Sequence, residues 1–208
     1  MDKGLIAFAA VLFMMGGFFY FVERSRFSVK EITLLAVLAG IAASMRVMFS
    51  FMPNVQPATF LIIITGFVFG GGAGFLTGTI SALVSNLFLG QGPWTLWQML
   101  GWGICGVLGG FLGRFKFRRP KMFLVLAGLV SGYLFGWIMN FWYWYSFTYP
   151  LNFKTLVLVN ASSFWFDTLH AAGNCFFMYF FAEELIKILR KFKDRITISS
   201  GGGSPRSL

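Results

Sequence analysis

The chain has 208 residues, of which 57% are apolar and 12% charged, with a mean hydropathy of +0.74. A soluble domain carries about a quarter charged residues, so water is not its main solvent. The formal charge of +10 does not make a nucleic-acid footprint, because Lys and Arg sit between apolar runs and not along one face of a folded domain.

Seven apolar runs follow one another: 4–22, 32–51, 58–70, 73–89, 94–113, 122–144 and 156–189. Most are long enough to cross a hydrocarbon core of about 30 Å; the third is short. The seventh is longer than a crossing needs and is expected to project beyond the membrane as a helix. The first run has a weak basic start and no small-residue cleavage site before Glu23 and Arg24, so it reads as a retained helix and not a signal peptide. The sequence thus predicts an all-α membrane protein. Residues 1–30 form an extra N-terminal transmembrane helix and its loop, residues 31–192 form a six-helix domain, and residues 193–208 form a flexible tail. The end of that tail, SSGGGSPRSL, is composed like an appended linker.

Basic residues settle the expected orientation. Arg24, Arg26, Lys30, Arg114, Lys116, Arg118, Arg119, Lys121 and the run from Lys187 fall on one side, and only Lys3, Arg46 and Lys154 on the other. The positive-inside rule then puts the N-terminus outside and the C-terminus in the cytoplasm.

Helices in lipid associate by close backbone approach at small residues. Gly70, Gly74, Gly78 and Ala82 recur every fourth residue, as do Gly101, Cys105, Gly109 and Gly113, and again Gly128, Gly132 and Gly136. Internal packing accounts for these three stripes. In the second run Ala36 pairs with Gly40 and Ala39 with Ala43 at the same spacing, which suits either packing within the bundle or docking of another membrane subunit. Cys105 and Cys175 lie in separate apolar runs and read as small fillers. No metal site is expected.

Polar residues inside an apolar run need a reason, because an ionisable side chain there costs about 2.5–3.5 kcal/mol on insertion scales. Asn160, Ser163, Asp167, His170 and Asn174 are spaced 3, 4, 3 and 4, so they share one helix face. That face is either a latch between helices or the wall of a solute site; we favour the wall. Arg46 can pair with Asp167, and Asn54 and Gln56 follow in FMPNVQP. The segment SNLFLGQGPWTLWQM brings Asn86, Gln91, Trp94 and Gln98 to a Gly- and Pro-rich turn. An interfacial tryptophan belt explains Trp94 and Trp97 but not the three amides, which look like a binding mouth. Trp137, Trp142, Tyr143, Trp144, Tyr145 and Tyr149 read as belt, whereas Asn140 continues the Gly128–Gly132–Gly136 stripe and faces inward. These clusters fall in the outer half, so a solute is expected to be captured from outside.

Several chemistries are set aside. GGGAG at 70–74 lacks the Lys-Ser/Thr of a phosphate loop, so ATP hydrolysis by this chain is not expected. Ser162 and Ser163 share one helix with Asp167 and His170, without a nucleophile elbow. EELIKILR has Ile188 where a prenyl-protein peptidase needs Arg. No catalytic residue is assigned, and the chain is not expected to be an enzyme. A stand-alone secondary transporter would favour inverted repeats, and none is visible.

Residues from about 30 to 190 resemble the substrate-binding S component of an energy-coupling factor (ECF) vitamin importer. The resemblance rests on PNVQP at 53–57, GFVFGGGAGFLTG at 66–78, SNLFLGQGPWTLWQMLGWG at 85–103 and the small-residue spacing of Ala36, Ala39, Gly40 and Ala43. The LGQGPWTLWQM segment is similar to the branch assigned to cobalamin (vitamin B12), departing from it at Leu89 and Leu96. Another vitamin and a secondary transporter remain as alternatives. The resemblance implies a six-helix core that binds vitamin from outside and delivers it inward with a transmembrane coupling subunit, EcfT. Two cytoplasmic ATPase subunits, EcfA and EcfA′, would use the ATP, and this chain would carry no covalently bound cofactor. The implied partners are thus the vitamin, these subunits and the lipid bilayer, with no nucleic acid. The polar clusters give the candidate ligand set Arg46, Asn54, Gln56, Asn86, Gln91, Trp94, Gln98, Asn140, Asn160, Asp167 and His170, and the resemblance implies that Ala36, Ala39, Gly40 and Ala43 dock the coupling subunit.

Overall fold

A computed structural model describes residues 27–115, 117 and 120–200, together with 9, 11–13, 15–17, 19–20 and 23–24. Among these residues the chain is all helical, with no strand. Six helices follow one another: α1 (Val29–Met48), α2 (Pro57–Phe69), α3 (Gly71–Leu89), α4 (Trp94–Leu112), α5 (Pro120–Phe147) and α6 (Phe153–Ser200). Where it is described, the segment before α1 is helical to residue 23, and Val11 and Met15 are buried against a cluster containing Phe75, Trp97 and Leu100.

Local chemistry sets the boundaries. Ser28 and Glu31 form a reciprocal capping box at the start of α1, satisfying amide groups that the first helical turn leaves unpaired. Pro57 opens α2, where its missing N–H costs nothing. Gly70 alone links α2 to α3 at φ +100°, and Gly90 ends α3 at φ +105°, both in the left-handed region that a Cβ disfavours.

Helices α1, α3, α4 and α5 are long and apolar enough to cross a membrane. Four such segments in one all-helical chain are those of a multi-pass membrane protein. α2 is apolar but spans only 13 residues, or about 20 Å, short of a hydrocarbon core. It is buried over every residue from Pro57 to Val68, so it is a central rod walled by its neighbours. Its C-terminal carbonyls still need donors, and Lys193 Nζ donates to Val68 O at 2.6 Å while Arg190 lies over the Phe67 ring. This contact revises the expected flexible tail: residues 193–200 continue α6, because no helix breaker intervenes before Gly201. Residues 201–208 lie outside the described residues.

The helices alternate in direction. Segments 49–56, 90–93 and 148–152 therefore gather at one end, here called upper, and Gly70 and residues 113–115 at the other. α3 packs most extensively on α4, and α5 on α6. The three predicted stripes all form interfaces. A Cβ on Gly74 would meet the Gly106 backbone, and one on Gly78 the carbonyl group of Trp102. Gly109 and Gly113 turn to α2, against Ile63 O and Phe67 O, and Gly101 to the Phe135 ring. Gly128, Gly132 and Gly136 face Asn174, Ala171 and the Asp167 carboxylate. The spacing alone did not reveal a second face of α4, where Gly106 and Gly110 meet Gly74 and Gly71 on α3.

On α1 the two small-residue pairs separate. Ala39 and Ala43 are buried, and Ser81 Oγ donates to Ala39 O. Ala36 is exposed, and a Cβ on Gly40 would meet nothing within 4 Å. These positions generate a paired test. Gly74→Ala should lower the thermal unfolding midpoint in detergent, overpacking typically costing about 1–3 kcal/mol, whereas Gly40→Ala should leave it unchanged or raise it. Equal midpoints would contradict this packing.

Candidate functional site

Three hydrogen-bonded groups occupy the upper half of the bundle. The first joins α1, α3 and α4 around Arg46, which stands in the last turn of α1 and is 7% exposed. One guanidinium nitrogen, Nη1, donates to Ser85 Oγ at 2.6 Å and to Asn86 Oδ1 at 2.5 Å, and the guanidinium carbon lies 4.7 Å from the centroid of the Trp102 ring. A cation over an indole face is stabilised by the ring quadrupole, the more so where water is excluded. Asn86 is fully buried and fully used: its Nδ2 donates to Thr95 Oγ1 at 2.9 Å and to Gln98 Oε1 at 2.7 Å. Thr95 donates onward to Gln91 Oε1, and Gln91 Nε2 closes the group on Leu83 O.

The second group joins α5 to α6. Asn140 Nδ2 lies 2.7 Å from Ser163 Oγ and 3.2 Å from both Asn160 Oδ1 and Asp167 Oδ2, and Ser163 Oγ donates to Asp167 Oδ2 at 2.8 Å. Gly136 on α5 lets the Asp167 carboxylate approach, since a Cβ there would overlap it. Asp167 itself is 4% exposed.

The third group lies between the other two. Trp102 Nε1 donates to Thr59 Oγ1 at 2.8 Å, and that hydroxyl is 2.8 Å from His170 Nε2. An indole N–H can only donate, so Thr59 accepts from it and its own hydrogen is free for the imidazole. Phe135 lies tilted against Trp102, ring centroids 4.5 Å apart, and meets the His170 ring edge-on at 5.3 Å. Around this core, Asn54 Nδ2 donates to Phe166 O, and Gln56 caps the start of α2 with its Oε1 buried and unpaired.

The structure therefore brings Arg46, Asn86, Gln91 and Gln98 into one group and Asn140, Asn160 and Asp167 into another, with His170 between them. Trp94 stands apart, its ring 6.2 Å from that of Trp142. The pairing of Arg46 with Asp167 that the sequence allowed does not form. Arg46 is taken up by α3 and α4 and Asp167 by α5 and α6. The five-residue stripe on α6 also divides: Asn160, Ser163 and Asp167 meet α5 near its upper end, His170 meets α2, and Asn174 donates to Gly128 O.

Sequence reasoning missed Thr59, Ser85, Thr95 and Trp102. Two signals pointed to them: Trp102 stands one turn after Gln98, and Ser85 immediately precedes Asn86. Hydroxyls within apolar helices usually bond their own backbone, as Thr65, Thr77 and Thr79 do here, so composition alone does not distinguish a bridging threonine.

The sequence pattern of a family described as the substrate-specific component of ECF transporters matches residues 30–189, all six helices but for the ends of α1 and α6. No curated protein and no solved structure matches the chain.

Asn86 carries most of the first group's bonds. Asn86→Ala should lower the thermal midpoint, because it strips an acceptor from a buried guanidinium and a donor from two neighbours, and each buried polar group left unpaired costs about 1–3 kcal/mol. Gln91→Ala, at an exposed turn, should shift it far less. A similar shift for both would mean that the network does not stabilise the bundle.

Proposed function

The chain belongs to the family of ECF transporter substrate-specific components, and on that premise we propose that it captures a vitamin, cobalamin by preference, at the upper end of its bundle. The observation that supports this is the gathering of all three polar groups in that half, around the Trp102–Phe135 pair. We take the upper end as extracellular, because the basic loop from Arg114 and the basic run from Lys187 lie toward the other end. The N-terminus is then outside and the C-terminus cytoplasmic. Substrate preference rests on the LGQGPWTLWQM segment, whose Asn86, Gln91, Thr95 and Gln98 form one network.

Delivery inward is assigned to a partner module. The transmembrane coupling subunit EcfT would dock on the outward face of α1, where Ala36 and Gly40 leave the helix backbone accessible to close approach. Ala39 and Ala43 support that face from within. EcfA and EcfA′ would hydrolyse the ATP.

Uptake of labelled vitamin should require this chain together with the coupling subunit and both ATPases. Undiminished transport by the chain alone would identify a secondary transporter instead. A panel of radiolabelled vitamins against the purified protein should return cobalamin, and binding of a different vitamin would overturn that choice. Asp167→Asn and Gln98→Ala should each weaken binding about tenfold or more, roughly 1.4 kcal/mol, whereas Trp142→Ala should do so less.

A further inference from the structure

Arg46 and Asp167 are opposite charges in the same half of one bundle, yet each is surrounded by neutral side chains. What those side chains leave unused differs between the two. Around Arg46 the side-chain acceptors are engaged: Ser85 Oγ and Asn86 Oδ1 by the guanidinium, Gln98 Oε1 and Thr95 Oγ1 by Asn86, and Gln91 Oε1 by Thr95. The unused valences there are N–H donors. Arg46 Nε is buried with no partner, and Gln98, whose carbonyl is held by Asn86, has its Nε2 amide hydrogens bonded to no protein group among the described residues.

Around Asp167 the balance reverses. The Asn140 amide hydrogens are directed at Asn160, Ser163 and Asp167, and the Ser163 hydroxyl is spent on Asp167 Oδ2. Asp167 Oδ1 and Asn140 Oδ1 receive no hydrogen bond from the described residues. These are acceptors. His170 Nδ1 and Ser131 Oγ, also unpaired, can act either way and do not alter the contrast.

Buried polar groups are nearly always hydrogen-bonded, and a buried charge without counter-charge is costly. The Arg46 group keeps N–H donors spare and the Asp167 group keeps acceptor oxygens spare, with the Trp102–Phe135 pair beside them. Resting on the S-component reading, we infer that the ligand turns acceptor oxygens (carbonyl or anionic) toward Arg46 and Gln98 and N–H donors toward Asp167 and Asn140. The site selects a broad, two-sided polar molecule. A ring system fringed with primary carboxamides meets this requirement, because each carboxamide carries both an acceptor oxygen and an N–H donor. A ligand with acceptors alone leaves the Asp167 wall unpaired.

The test uses purified full-length protein and cyanocobalamin, compared with the monocarboxylic acids made by hydrolysing single peripheral amides. Hydrolysis replaces an N–H donor by an anionic acceptor. At least one acid should bind the wild type about tenfold more weakly than cyanocobalamin. Asp167→Asn, which supplies an amide donor and removes the charge, should narrow that gap to about threefold or less, while Arg46→Gln should not. Such a recovery cannot arise from misfolding. The same gap in wild type and Asp167→Asn for every acid would overturn the inference. If a different vitamin binds in place of cyanocobalamin, weakened binding of that vitamin by both Arg46→Gln and Asp167→Asn supports the two walls, and affinities equal to wild type overturn them. If no vitamin binds the wild type, the vitamin-capture reading fails and this inference with it.

Discussion

α3 and α4 meet backbone to backbone at Gly74 and Gly106, and the upper half of the bundle depends on that approach. Lipid gives apolar side chains no reason to prefer one another, so contact is gained by removing Cβ atoms. Gly78, one turn along α3, admits the backbone of Trp102. Two turns further, Asn86 then lies within hydrogen-bond reach of Thr95 and Gln98. Had bulky residues separated these axes by a further methylene, Asn86 could not serve Arg46 and Gln98 at once. Precision at the polar end thus begins with glycines that carry no polar side chain.

Trp102 illustrates how several duties fall on one residue. Its face receives Arg46, its other contacts include the Phe135 ring, and its N–H reaches Thr59. Through Thr59 it is joined to His170 on α6. One indole therefore ties together helices that are distant in sequence, and separates a guanidinium from a carboxylate that simple electrostatics would draw together. A direct ion pair would have left both groups satisfied and fewer unused valences for a ligand.

Much of the fold was legible before any coordinates. From the second run to the sixth, the apolar runs predicted the helices within a few residues, and the i, i+4 glycine spacing identified real interfaces. Spacing on α6 correctly grouped polar residues on one face, because periodicity within a helix is a local property. What one sequence does not encode legibly is the rotation of one helix against another. That rotation sends Arg46 to Ser85 and Asn86 and not to Asp167. It also buries Ala39 while exposing Ala36, although both belong to overlapping motifs with the same spacing. Thr59 escaped notice for a related reason: within a fully apolar segment a threonine that bridges two helices has the same signature as one that bonds its own turn. The extent of α6 was misjudged because a polar, basic composition after residue 192 suggested a loose end, whereas nothing in it breaks a helix before Gly201.

The bond from Lys193 to Val68 gives that last stretch a role that its position near the chain's end conceals. A segment so placed is the natural target for trimming when a membrane protein is prepared for crystallisation or fused to a reporter. Cutting ahead of residue 193 would remove a clasp on the central helix as well as a tail, and the damage would be felt beneath the polar sites rather than where the cut was made. A fusion joined after residue 200 leaves the clasp in place.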